Sequence, residues 1–149
     1  MKQHILTSVV SRGLRSIDRM SAPGVAEAHC DIPCGIYDPA GAVLAAQTVA
    51  KMVDLIGAHE GSSVADRNTF ARCVAVKEQH AELVKHEVQV IWSDYFKPEH
   101  LAANPDLHTK VWNVLKLAGK NKQNVDAEAA AQLQAAVKEF ADIFWSTKK

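Results

Sequence analysis

Apolar residues recur every three or four positions through most of the chain, and no stretch alternates as a strand would. Ala42, Ala46, Val49, Val53 and Ile56 form one stripe, and this spacing predicts a helix over about 39–58. Asp38-Pro39 supplies its start, a side-chain cap followed by proline at the first helical position; Gly57 and Gly61 mark its end. From Ser63 to about Phe96 the same period is kept by Phe70, Val74, Ala81, Val84, Val88, Ile91 and Tyr95, interrupted by Lys77 and stopped by Pro98. Asn104-Pro105 repeats the cap-then-proline signal before a third helix with Leu107, Val111, Val114, Leu115 and Ala118, ending at Gly119. Lys120 to Asn124 reads as a polar turn, and Asp126 caps a fourth helix carrying Leu133, Val137, Phe140 and Phe144. Four amphipathic helices with short connections predict an all-α fold, an antiparallel four-helix bundle.

The length of 149 residues suits one such domain, and 48% hydrophobic with 23% charged residues excludes a disordered polyampholyte. Lys plus Arg equals Asp plus Glu, 17 each, so no strong global field draws the chain to nucleic acid or to a membrane surface. No run reaches 18 apolar residues, which argues against a transmembrane helix.

Residues 1–28 differ from the rest. Lys2, Arg12, Arg15 and Arg19 face only Asp18 and Glu27, and the segment holds Ser8, Ser11, Ser16 and Ser21. It has no apolar run long enough for a secretory signal, so the expected location is cytoplasmic. It ends in Ala26-Glu27-Ala28, a small-residue cleavage pattern. A weakly helical arm, a removable pro-segment and an organelle transit peptide all fit this composition. The expected organisation is a leader over 1–28 and a bundle over 29–149.

Candidate chemistry gathers at the junction. His29-Cys30-Asp31-Ile32-Pro33-Cys34-Gly35-Ile36-Tyr37-Asp38-Pro39 has prolines and a glycine that forbid a helix and favour a tight loop. As an isolated pair, Cys30 and Cys34 fit a disulfide, two structural thiols or, less well, zinc, since only one His is adjacent. Cys73, among Phe70, Val74 and Val76, reads as a buried apolar residue. His59, His80, His86, His100 and His108 form no i, i+4 ligand pair.

A cut between Ala28 and His29 changes the options. The freed α-amine, with an ordinary pKa near 8, the Cys30 backbone nitrogen and the Cys30 and Cys34 thiolates would form a planar N2S2 set. The His29 imidazole could reach the same metal from above. Tetragonal geometry of this kind points to nickel or copper rather than zinc.

These residues resemble the nickel hook of nickel-containing superoxide dismutases. Lys77-Glu78-Gln79, Ala81-Glu82-Leu83, Trp92-Ser93-Asp94-Tyr95-Phe96-Lys97-Pro98, Ile143-Phe144-Trp145 and Thr147-Lys148-Lys149 also resemble that family, in order, so the likeness spans nearly all of 29–149. The resemblance implies a precursor whose leader a dedicated peptidase removes, leaving His29 first. It implies nickel, cycling between Ni2+ and Ni3+, held in a hook over 29–37. The ligands would be the His29 amine and imidazole, the Cys30 amide and sulfur, and the Cys34 sulfur. It further implies a cis Ile32–Pro33 bond, Tyr37 over the open face of the metal, superoxide as substrate, and a homohexamer. His29 and Tyr37 would be the catalytic groups.

Members of that family carry a Glu at the place of Ala45 and an Arg at the place of His80, both linked to the axial imidazole. Ala45 accepts no hydrogen bond, which leaves His80, with Asp31, as candidate neighbours of the metal shell. Two rival readings remain: a non-catalytic nickel- or copper-binding bundle with an altered surround, and a thiol-disulfide protein using Cys30 and Cys34.

Overall fold

The computed structural model describes residues 35–148. Four long helices are present: α1 (Ala40–Gly57), α2 (Val64–Val90), α4 (Leu107–Gln123) and α5 (Ala127–Thr147). A short α3 (Pro98–Ala103) lies between α2 and α4. Among the described residues there is no strand. Each long helix packs on its chain neighbours, and α5 closes the ring against α1. The all-α four-helix bundle read from periodicity is the observed fold.

The core is one cluster lined by small residues on one side and large ones on the other. Ala42, Ala45, Ala46 and Val49 of α1 and Ala81, Val84 and Val88 of α2 are buried. Leu107, Val111 and Val114 of α4 and Leu133, Val137, Phe140 and Phe144 of α5 complete it. Alanines let α1 and α2 approach closely, and the α5 phenylalanines fill the remaining volume. By length and composition α1 is apolar enough to span a bilayer, but its stripe is spent on this core.

Local chemistry starts the helices close to where the sequence indicates, with Pro39 as the cap position of α1 rather than its first residue. The Ala40 N–H donates to Asp38 Oδ1 at 2.8 Å. Ser63 and Asp66 form a reciprocal capping box, with bonds of 3.1 and 2.8 Å. Asp126 Oδ1 accepts from the Ala129 N–H at 3.0 Å. At the end of α2, Ile91–Tyr95 loosen into one π turn, with the Phe96 N–H bonded to the Ile91 carbonyl.

Four expectations need correction. Pro98 does more than stop α2: it is the first residue of α3, a role proline suits because it needs no N–H there. Asn104-Pro105 does not cap the third long helix, which starts at Leu107 after Asp106; the Asn104 N–H closes α3 on the His100 carbonyl. That helix continues past Gly119 to Gln123, through the stretch read as a turn. Tertiary bonds hold the extension: Asn121 is buried, and its Nδ2 donates to the carbonyls of Leu117 and Ala129, both at 2.9 Å. Finally, Cys73 is half-buried and Phe70 is exposed, its ring resting on His59. At 27 residues α2 is longer than its 18- and 17-residue neighbours, so its first turns have fewer surfaces to pack on.

Candidate metal centre

Gly35, directly after Cys34, has φ of +70° and open space where a Cβ would stand, so the backbone conformation rather than crowding calls for glycine. Two residues on, Tyr37 is half-buried, and Pro39 is buried at the threshold of α1. The chain leaving the Cys34 loop is therefore seated on the bundle within one helical turn.

Tyr37 joins an aromatic cluster. Its ring centroid lies 5.7 Å from that of Tyr95, tilted by 56°. Tyr95 in turn packs 4.4 Å from Phe144, 5.3 Å edge-on to Phe96 and 5.5 Å in a stack with His100. The π turn ending at Tyr95 places this residue between Tyr37 and the end of α5. The Tyr95 hydroxyl is 3.1 Å from Thr147 Oγ1, and Lys148 Nζ donates to the Tyr37 carbonyl at 2.6 Å.

Of the residues expected in the site, Tyr37 and His80 are described. His29, Cys30, Asp31 and Cys34, and the Ile32–Pro33 bond, lie outside the described residues. His80 is half-buried on α2, with Nδ1 2.9 Å from the Val76 carbonyl on the same helix. A carbonyl has no proton to give, so Nδ1 carries the hydrogen and Nε2 of the neutral ring is the acceptor. Ala45 is buried in the core of α1.

Periodicity placed Tyr95 on the helix but gave no sign of a site, and it passed over Thr147 and Lys148. Their signal was only the Trp-x-Thr-Lys ending and the aromatic run before Pro98; the pairing of the two is a tertiary fact.

Among the described residues, no three His, Cys, Asp or Glu side chains group closely enough to hold a metal ion. Two grooves beside α4, about 450 and 610 Å³, are lined by lysines, amides and apolar groups and offer no soft donor. The donor set that suits a metal is the one in the sequence at 29–34: two thiolates and nitrogen donors, a soft set fit for nickel. Directly after that stretch, Tyr37 packs on Tyr95 in the aromatic cluster.

The family model for nickel-containing superoxide dismutase matches residues 24–148. The chain belongs to that family. It is 39% identical over 134 residues to the superoxide dismutase [Ni] of Streptomyces seoulensis, covering 89% of this chain and 98% of that protein. The superoxide dismutase [Ni] of Streptomyces coelicolor matches over the same 134 residues at 39% identity, with 89% and 98% coverage. A native nickel superoxide dismutase structure superposes with a TM-score of 0.72 at 38% identity, covering 81% of this chain and 100% of that one. A related structure, its nickel ligation corresponding to the oxidized state, gives a TM-score of 0.71 at 37% identity, covering 80% of this chain and 97% of the other. The helices and aromatic cluster described above lie within the residues matched by the nickel superoxide dismutase family model.

Proposed function

We propose that this chain is a nickel-dependent superoxide dismutase, matured by removal of residues 1–28. Two superoxide anions and two protons give dioxygen and hydrogen peroxide. The observation that carries the reading is the family match, which runs in one piece from residue 24 through the hook and all four long helices to residue 148. The extents of the matches support a removable leader: the curated relatives align with 89% of this chain, whereas the native structure is covered whole by 81% of it.

His29, Cys30 and Cys34 would hold nickel, which supplies one-electron chemistry between Ni2+ and Ni3+. The Cys30 and Cys34 thiolates would be its strongly donating ligands. Tyr37 narrows access to the loop and orients small oxygen species beside it. Asp31 and His80 are assigned to the surround, His80 through the Nε2 lone pair that its bond to Val76 leaves available. Without residues 1–28 the chain carries 13 basic and 15 acidic side chains, so attraction of the anion is local rather than global. A leader-processing peptidase, a cytoplasmic location and a closed homohexamer complete the proposal. Packing the loop between subunits would shield its thiolates from the peroxide they generate.

Intact-mass and metal analysis of native protein, with superoxide decay followed before and after nickel removal, tests this reading. The expected result is a chain starting at His29, one nickel per chain, and turnover that disappears with the metal. Bound metal without turnover would favour the non-catalytic bundle, and nickel-independent thiol activity would favour the thiol-disulfide reading. Light scattering tests assembly, and a fully active monomer would overturn the hexamer.

A further inference from the structure

The last two described residues of the chain grip the tyrosine pair in a way the core does not require. Lys148 Nζ donates to the Tyr37 carbonyl at 2.6 Å and sits 5.1 and 5.2 Å from the ring centroids of Phe144 and Trp145. Two aromatic faces thus hold the ammonium where it meets a backbone oxygen three residues after Cys34. Charge assistance makes this a strong hydrogen bond even in contact with water.

Thr147 makes the second contact, and its direction can be deduced. Thr147 Oγ1 donates its only proton to the Phe144 carbonyl at 2.7 Å. The 3.1 Å contact to Tyr95 must therefore run the other way, with the Tyr95 O–H donating to Thr147 Oγ1. The phenol proton of Tyr95 is spent on the end of α5. Toward any further partner, Tyr95 receives a hydrogen bond and gives none.

We infer that Thr147 and Lys148 form a C-terminal strap that positions the tyrosine pair, Lys148 through the Tyr37 backbone and Thr147 through the donor direction of Tyr95. Both are positioning residues for the dismutase reading proposed above, on which this inference rests. Lys148 fixes the backbone of Tyr37, three residues after Cys34 in the chain. Thr147 sets Tyr95 as an acceptor, suited to a species that carries a proton, such as the peroxide product, and not to the superoxide anion.

The test uses nickel-loaded mature protein. Lys148→Met should speed nickel loss to an external chelator about tenfold, and Lys148→Arg should stay within about twofold of wild type, because a guanidinium keeps the charge-assisted donor. Thr147→Val should leave nickel content unchanged and lower kcat about tenfold with little change in KM, while Thr147→Ser restores it. In a Tyr95→Phe background Thr147→Val should add nothing, since its path runs through the phenol. The electron paramagnetic resonance of the oxidised nickel should shift in Lys148→Met and not in Lys148→Arg. Melting curves check folding; should Lys148→Met melt early, Lys148→Gln serves for the same comparison. Wild-type nickel retention, resonance and kinetics in both Lys148→Met and Thr147→Val would overturn the strap. Wild-type protein without nickel-dependent turnover would overturn the underlying reading instead, so the two failures are separable.

Discussion

The ammonium of Lys77 donates to the backbone carbonyl of Asn121 and, through the same nitrogen, to those of Lys122 and Asn124, both at 3.0 Å. Its three protons meet three oxygens at the end of α4, where the last turn of a helix leaves carbonyls without partners. Lys77 is 1% exposed, and burial pushes its pKa down, opposed by the neighbouring Glu78. This one side chain joins the middle of α2 to the α4–α5 turn.

Lys77→Met keeps the length of the side chain and removes the donor. Three carbonyls then lose their partner at once, and the loss should be about 2–5 kcal/mol in urea unfolding. A change under about 0.5 kcal/mol would mean that water replaces the ammonium at no cost.

Acid should unfold the bundle by releasing surface carboxylates. Hydrogen bonds hold four carboxyls below their usual values: Asp66 by Ser63, Glu82 by Lys122, Asp106 by Lys110 and Asp126 by the Ala129 N–H. A carboxyl with a lowered folded pKa stabilises the fold above its unfolded value and loses that contribution as pH falls through the folded one. The melting temperature should therefore hold from neutrality to about pH 5 and fall below about pH 4. Asp126→Asn should shrink that fall, and calorimetry across the range measures it.

The three cysteines should separate cleanly. Cys30→Ser and Cys34→Ser should each abolish turnover, because a hydroxyl at neutral pH is a poor anionic donor. Cys73→Ser should keep full activity and cost at most about 1 kcal/mol, being only half-buried on α2. Stopped-flow superoxide decay on the three variants decides this; equal losses would deny the separate roles.

Processing should gate the metal. In the uncleaved chain the His29 nitrogen is a peptide nitrogen and no longer an amine, so protein retaining Met1 should bind no nickel in the thiolate-rich geometry and show no turnover. X-ray absorption at the nickel edge on full-length and His29-initiated protein makes the comparison. Identical spectra would sink the requirement for a free amine.

Much of the fold was written in periodicity. The stripes on α1 and α5, the start of α2 near Ser63, the Asp126 cap and, to within one residue, the start of α1 after Asp38 were legible because helix formation and capping are local, set by residues within one or two turns. Two of the departures from local rules share one cause. Lys77 read as an interruption in an apolar stripe, and Lys120 to Asn124 read as a turn. Each departs from local rules only because the other lies opposite in space. Phe70 read as core because its period is right, yet period does not tell where a long helix outruns its partners.

The candidate site divides in the same way. The candidate ligands, their spacing and the family resemblance were in the sequence, since His29, Cys30 and Cys34 lie within six residues. That Tyr37 would rest on Tyr95, and that Thr147 and Lys148 would hold both, needed the tertiary structure: the Tyr37–Lys148 bond spans 111 positions. The closing of α5 against α1 brings those ends together, and burial of Phe140 and Phe144 contributes to it.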